Sequence, residues 1–340
     1  VMKRLWMSSA LVLALTASAC AENNASDAEA DSADVASAAA ESIDATEAAG
    51  ETQLAALIQD DAGSMAVAEE TPDYDFPDDV WRAVEQDRLL YIETDHGMIV
   101  VELAPEFAPL HVERMTTLAN ERFYDFLVWH RVIDGFVAQG GGSRTNPSHS
   151  TDMDRVPGEF TMRRDPNEIV IFETQDRVIN PRSNPSIARA GFWNGFPAGT
   201  QAAALASITA DGMVESWLLH CEGAASMART SNPDSAGSQF YITRGDAEHL
   251  NAQYTVWGRV RAGQDAFNAI AVGTAGQDPG FTPDTIRSMR AGSDPDFRGQ
   301  VTVEVIDTNS QAFADWLMAQ GEGGEAPDVC AVDIPVRITE

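Results

Sequence analysis

The sequence predicts a mainly β domain of barrel type. Two observations lead there: short runs with period-two alternation recur along the chain, and only two or three segments carry helical spacing. Many short strands with few helices favour a barrel over a parallel sheet that alternates with helices. The first hairpin begins over 90–94, with Leu90, Ile92 and Thr94 on one face. Asp95-His96-Gly97 supplies a turn, and Ile99, Val101 and Leu103 alternate on the return strand. A helix opens at Pro109, which suits the first helical position because its missing N–H would be unpaired there anyway. Val112, Met115, Leu118 and Ala119 then form one apolar stripe at helical spacing. Further strands are expected over 128–133, 135–139, 239–243, 255–260, 285–289 and 301–307. Helices are expected over 264–271 and 311–318, the latter with Phe313, Trp316 and Leu317 on or near one face. The sequence holds no internal repeat.

The chain has 340 residues, 44% of them apolar, enough for one large domain or two modest ones. Asp and Glu number 53 against 22 Lys and Arg. Such a balance repels a phosphate backbone and argues against nucleic acid as a partner. From Ala21 to Val80 there are 17 acidic residues and no base. Most of this stretch is Ala, Ser, Asp, Glu and Thr, which cannot bury enough surface to offset the entropy of ordering. Residues 20–73 therefore read as a solvated tether, and order is expected to begin near Tyr74 to Trp81.

Residues 1–19 read as an export signal: Lys3 and Arg4, then a short apolar run over 11–15 that is too short to span a bilayer. Two processing readings stay open. Ala17-Ser18-Ala19 is a signal-peptidase site, and with Cys20 it also resembles a lipoprotein box. The Cys set directly after small residues favours lipidation at Cys20. Ala21 in place of Asp after it favours the outer membrane of a two-membrane bacterium. The expectation is an exported monomer on the periplasmic face of an envelope membrane, held by its N-terminal lipid alone, or a soluble periplasmic protein if the signal is simply cleaved.

Two blocks carry chemistry. The first is Trp129-His130-Arg131-Val132-Ile133-Asp134-Gly135-Phe136-Val137-Ala138-Gln139-Gly140-Gly141, a strand, a Gly turn and a second strand. Arg131, Phe136 and Gln139 can converge there. The second is Ala225-Ser226-Met227-Ala228-Arg229-Thr230, then Gly237-Ser238-Gln239-Phe240-Tyr241-Ile242, then Leu250. Gln239 and Tyr241 share one face of its strand.

Together the blocks resemble the cyclophilin family, whose signatures F-H-R-V-I-x-G-F-x-x-Q-G-G and S-M-A-[NR]…G-S-Q-F-[FY]-I they match in order. The resemblance spans about 90–142 and 217–290. It implies a closed eight-stranded antiparallel barrel capped by two helices, a site on the barrel's outer face, and isomerisation of X–Pro bonds in polypeptides. Residues 74–292 would form this domain, with an insertion at about 143–215, and 293–340 a C-terminal extension packed on the barrel. Glu159-Phe160 and 169–172 are expected to supply barrel strands, and Trp193-Asn194-Gly195-Phe196-Pro197 reads as inserted loop.

Rotating an amide costs about 18–20 kcal/mol because its resonance must be broken. No bond is made or cut, so no cofactor or metal is implied; the protein need only favour the twisted amide over both planar forms. An apolar pocket can strip water from the more polar planar amide, and a fixed cation can donate to the prolyl nitrogen freed by twisting. Arg131 suits that donor, being permanently charged and forked. Phe136 and Val137, with Tyr241 and Leu250, suit the pocket wall. Gln139 can orient Arg131 or hold the substrate carbonyl, while Ala228 and Arg229 sit where the family grips the peptide backbone, with Gln239 on the same patch. His249 stands where many members have Trp, and Tyr254 where many have His, so the rim is altered.

Other residues weigh less. His220-Cys221 could suggest a thiol nucleophile, but nothing nearby supplies an orienting third group. With Cys20 lipidated, Cys221 and Cys330 remain an even pair, read as a disulfide or as two buried thiols. Gly140-Gly141-Gly142 lacks the strand-to-helix context and the Lys of a phosphate loop. No His/Cys/Asp cluster stands at ligand spacing along the sequence. Two functions stay open: an active prolyl isomerase, or a proline-peptide-binding module or chaperone on the same surface.

Overall fold

The computed structural model describes residues 74–143, 153–175 and 188–339. The expected signal, Cys20, the tether and parts of the insertion lie outside the described residues. In chain order the strands are β1 Trp81–Ala83, β2 Leu89–Thr94, β3 Gly97–Leu103, β4 Leu127–Val128, β5 Arg131–Ile133, β6 Val137–Gly140, β7 Met162–Arg164, β8 Phe172–Gln175, β9 Ala188–Trp193, β10 Phe196–Gln201, β11 Val214–Leu218, β12 Ala224–Met227, β13 Phe240–Thr243, β14 Val256–Ala262, β15 Gly273–Thr274, β16 Thr285–Ala291, β17 Thr302–Ile306 and β18 Val336–Thr339. The helices are α1 Pro109–Asn120, α2 Gln264–Asn268 and α3 Gln311–Gln320.

Ten strands form the main sheet, in the order β15-β5-β6-β13-β12-β14-β3-β2-β16-β4. Every neighbouring pair is antiparallel. The sheet must curl. β4 is one edge and β5 lies beside the other, yet only Trp129 and His130 separate them, a reach of roughly 11 Å; in a flat sheet the two would stand about 38 Å apart. The ladder nevertheless does not close: among the described residues no pairing joins β4 to β5 or β15. The architecture is thus a curled, open ten-stranded sheet, not the closed eight-stranded barrel expected. The seam falls where one strand was expected over 128–133. There Trp129 N donates to Asp284 O (3.0 Å), and His130 O accepts from Ala275 N (2.8 Å), so these backbone groups serve loops.

Inside the curl lies a core of alternating residues: Leu90, Ile92, Ile99, Val101 and Leu103 from the first hairpin, Val132 and Ala138, Phe240 and Ile242, with Met115 and Leu118 of α1 and Phe267 of α2 packed on it. The other face of the hairpin is buried too. Leu89, Tyr91 and Val100 join Phe192 of the insertion, Trp217 of β11, and Val303, Val305, Phe313 and Leu317 of the C-terminal extension in a second core. Two additional sheets build that cover. One is β7-β11-β10-β9-β8, made by the insertion; the other is β1-β17-β18, which joins the two ends of the described chain. The strands expected to complete the barrel from 159–160 and 169–172 do not do so. Glu159 and Phe160 are outside any strand, and Phe172 opens β8 in the insertion's own sheet.

Trp193 to Pro197, expected as loop, is the β9–β10 hairpin, with Trp193 paired to Phe196. Asn194 and Gly195 are its two-residue turn, at φ 47° and 78°. Both angles are left-handed, which is why Asn-Gly suits the place. The two turn carbonyls meet a buried ion cluster. Arg261 Nη1 donates to Gly195 O (3.0 Å) and its Nη2 to Asn194 O (3.2 Å), while Arg82 Nη2 also donates to Asn194 O (3.1 Å). Both arginines share Glu102: Arg261 Nε at 2.8 Å and Arg82 Nη2 at 2.7 Å, with the Glu102 side chain wholly buried. One carboxylate thereby ties the main sheet, the insertion and β1 together.

Glu159 takes a different part from the strand expected. Its carboxylate accepts from the backbone N–H groups of Leu110 and His111 (3.1 and 3.0 Å) and from His111 Nδ1 (2.7 Å). Ala108, the residue at the helix cap, offers no side-chain bond, so Glu159 supplies from the insertion the anion that a helix start favours. Burial alone would raise its pKa, but the bonds from His111 and the two N–H groups hold it below its ordinary 4.5. A depressed carboxyl contributes stability above its unfolded-state pKa and loses it as pH falls through the folded value. Glu159→Gln is expected to cost about 1–2 kcal/mol at pH 7. The variant and parent should converge in urea midpoint as pH falls below 4.5; a constant gap down to pH 3 would refute the cap.

Cys221 and Cys330 are disulfide-bonded with Cα atoms 5.0 Å apart. The bond fastens the C-terminal extension to the segment leading into β12. Asp246 brings a carboxylate within 4.8 Å of the two sulfurs, a convergence that the linear spacing hides, but both sulfurs are spent in the disulfide.

Candidate active site

The site is a row of side chains across four strands. Arg131 of β5 pairs with Gln139 of β6, Gln139 with Tyr241 of β13, and Tyr241 with Ser226 of β12. Residues directly opposite in antiparallel strands share a face. Their neighbours Val132, Ala138, Ile242 and Ala225 point into the core, so this row stands on the outer face of the curl. Unlike the first hairpin, this part of the outer face is not roofed by the second core.

Arg131 is half-buried, and its Nη1 donates to Gln139 Oε1 at 3.3 Å. Gln139 Nε2 in turn donates to Gln239 Oε1 at 2.9 Å. Gln239 is buried, so the chain of amides orients the guanidinium from below. Among the described residues Gln139 is the only hydrogen-bond partner of the Arg131 side chain, which leaves most of its five N–H donors open.

Phe136 lies beside this cation, with the guanidinium carbon 5.9 Å from its ring centre. Its turn is held by strand β13's exit: Arg244 N donates to Phe136 O (2.9 Å). A Cβ on Gly245 would stand 2.7 Å from Gly135 O, so only glycine permits this approach. The exposed His249 ring stacks on Phe136 at 5.5 Å and 23°. Leu250 is half-buried on the same turn, and Val137 shares the face of Gln139 but is buried.

The far rim is cationic and aromatic. Arg229 lies over the Tyr254 ring at 4.1 Å and over Phe160 at 5.4 Å. Its Nε and Nη2 donate to Gln253 O (3.1 and 2.8 Å). Tyr254 meets Tyr241 edge-on at 6.1 Å. Ala228 N donates to Gln239 O at 2.9 Å, so that N–H is already engaged within the fold.

Sequence reasoning missed two contributors. Phe160 arrives from the insertion and has no motif around it. His220 lies under the row: its Nε2 stands 3.1 Å from Tyr241 Oη and its Nδ1 3.1 Å from Asn251 Oδ1. Burial pushes the His220 pKa down to about 4, so the ring is neutral at pH 7. Burial pushes the Tyr241 phenol up. His130 is also buried and, chiefly for that reason, lowered. A cavity of about 530 Å³ lies between β14 and the 330–338 segment and shares no residue with the row.

Comparison with known proteins places the chain in a family. The model of the family described as cyclophilin type peptidyl-prolyl cis-trans isomerase/CLD matches residues 89–291. A probable peptidyl-prolyl cis-trans isomerase of Brucella suis is 29% identical over 58% of this chain and 78% of its own. Peptidyl-prolyl cis-trans isomerase B of Bacillus subtilis is 32% identical over 51% and 82%. The crystal structure of cyclophilin AquaCyp293 from Hirschia baltica superposes with a TM-score of 0.67 at 33% identity, covering 78% of this chain and 98% of that one. By the match across 89–291, more than half of its length, the chain belongs to the cyclophilin-type peptidyl-prolyl cis-trans isomerases.

Proposed function

We propose that the protein isomerises X–Pro bonds by the non-covalent route, with Arg131 stabilising the twisted amide. The observation that carries this reading is the Arg131–Gln139–Gln239 relay, which orients a cation with open donors beside Phe136. The proline ring would lodge against Phe136, Val137, Tyr241 and Leu250, losing water that favours the planar amide. The guanidinium would donate to the prolyl nitrogen as its lone pair is released. His249 and Arg229 border this pocket and would contact the residues flanking proline. A proline-limited proteolysis assay on the purified protein tests the reading: the cis fraction of an Ala-Ala-Pro-Phe peptide should be consumed faster than the uncatalysed exchange over tens to hundreds of seconds. A protein that binds the peptide without accelerating exchange would be a binding module instead.

The clients would be envelope polypeptides, met by a monomer tethered through Cys20. The Ala17-Ser18-Ala19-Cys20 box and the acidic stretch after it support this. Mass spectrometry of the native N-terminus is expected to find an acylated Cys20; an unmodified mature N-terminus in the soluble fraction would favour simple cleavage.

A further inference from the structure

Tyr241 is the one member of the pocket wall that carries a polar atom into a buried position. The whole residue is 4% exposed, and His220 beneath it is 1% exposed. A hydroxyl facing an apolar pocket is a liability, since a dry O–H without an acceptor costs the full desolvation of that group. The geometry resolves which way this hydroxyl points. Asn251 Oδ1 accepts from the backbone N–H of His220 at 2.8 Å, which identifies that atom as the oxygen. The same oxygen stands 3.1 Å from His220 Nδ1. An oxygen can only accept, so Nδ1 carries the proton and Nε2 is left as an acceptor. Nε2 faces Tyr241 Oη at 3.1 Å, and the two rings lie nearly parallel, 20° apart. The tyrosine must donate.

We propose that His220 is a positioning residue of the proline pocket: held by Asn251 as the Nδ1–H tautomer, it accepts the Tyr241 hydroxyl and turns it away from the substrate. The proposal rests on the pocket assigned above. The tie keeps an apolar ring face toward proline and occupies the donor that would otherwise seek the substrate carbonyl or a water in the pocket. It also explains why a tyrosine is tolerated at a place where phenylalanine would need no partner. His220 enters from the segment between β11 and β12, one residue before the disulfide-bonded Cys221.

The experiment is a double-variant cycle in the full chain, with H220L, Y241F and H220L/Y241F compared for kcat/KM and for affinity toward the Ala-Ala-Pro-Phe peptide. H220L removes this acceptor and leaves the buried Ser226 hydroxyl as the polar neighbour of Tyr241, and both readouts should fall about tenfold, equivalent to about 1.4 kcal/mol. Adding Y241F removes the tyrosine hydroxyl, and the double variant should recover at least half of that loss on a logarithmic scale. Rescue is what distinguishes positioning from packing: a His220 that merely fills space would give a double variant as impaired as H220L or worse. Should H220L fail to fold, the ¹⁵N shifts of His220 in the parent and in Y241F decide. The parent should show a protonated Nδ1 and a hydrogen-bonded Nε2, with the Nε2 shift moving in Y241F; an Nε2–H tautomer, or no shift change, overturns the proposal. Because peptide affinity and tautomer are read without turnover, a parent that binds but does not isomerise would refute the catalytic reading and leave this one standing or falling on its own data.

Discussion

Arg131→Ala is expected to lower kcat/KM by about one to three orders of magnitude, since removing a donor aimed at developing charge costs up to about a thousandfold. Its thermal midpoint should stay close to the parent's. The side chain is half-buried and gives the fold one hydrogen bond, to Gln139 at 3.3 Å, so little stability is lost with it. Arg131→Lys keeps the charge but not the fork and should recover only part of the rate. Isomerase kinetics and a melting curve on the same preparations decide the matter. Unchanged kcat/KM with unchanged stability would remove Arg131 from the mechanism.

Glu102→Ala is expected to produce the largest loss of stability, about 3–5 kcal/mol, because removing one partner of a buried ion cluster leaves the remaining charge without compensation. Here the orphan would be Arg261, whose side chain is 1% exposed. Arg82 would also lose its carboxylate, and the Asn194-Gly195 turn carbonyls would face cations no longer anchored. The corresponding fall in Tm is roughly 6–20 °C. Calorimetry and urea unfolding measure it, and a loss below about 1 kcal/mol would show the cluster to be well solvated. Glu102 lies on β3, away from the β5-β6-β13-β12 row, so the folded fraction should keep its isomerase rate.

The contrast between these two residues shows what the sequence makes legible. Arg131, Gln139 and Tyr241 lie within two compact blocks whose alternation sets them on one face, and the ladder needs only correct pairing to bring them into a row. Glu102 reads as one acid in an apolar strand. Its partners Arg82 and Arg261 come from 20 and 159 residues away, and no local pattern announces them. The same holds for Glu159, read as strand and found capping α1, and for His220, read only as the neighbour of a cysteine. The closed barrel failed at Trp129–His130, where a strand-like run over 127–133 conceals a change of partner. One signal was present and unused: Asn194-Gly195 between apolar residues is a hairpin turn. The continuous runs Leu89-Leu90-Tyr91-Ile92 and Ile99-Val100-Val101 were another, since a strand with water on one side alternates and a strand buried on both sides does not.

The double burial of the first hairpin limits how the protein can be cut. The family match begins at residue 89 and ends at 291, which invites expression of that piece alone. Such a piece would lose Val303, Val305, Phe313 and Leu317 and bare the outward faces of Leu89, Tyr91 and Val100. It would also leave Cys221 without its partner and Glu102 without Arg82. An exposed apolar patch flanked by a free thiol is a recipe for aggregation and mispaired dimers. A piece that keeps both cores, the disulfide and the Glu102 cluster must therefore reach at least from β1 through β18, and the boundary of homology is not the boundary of autonomy.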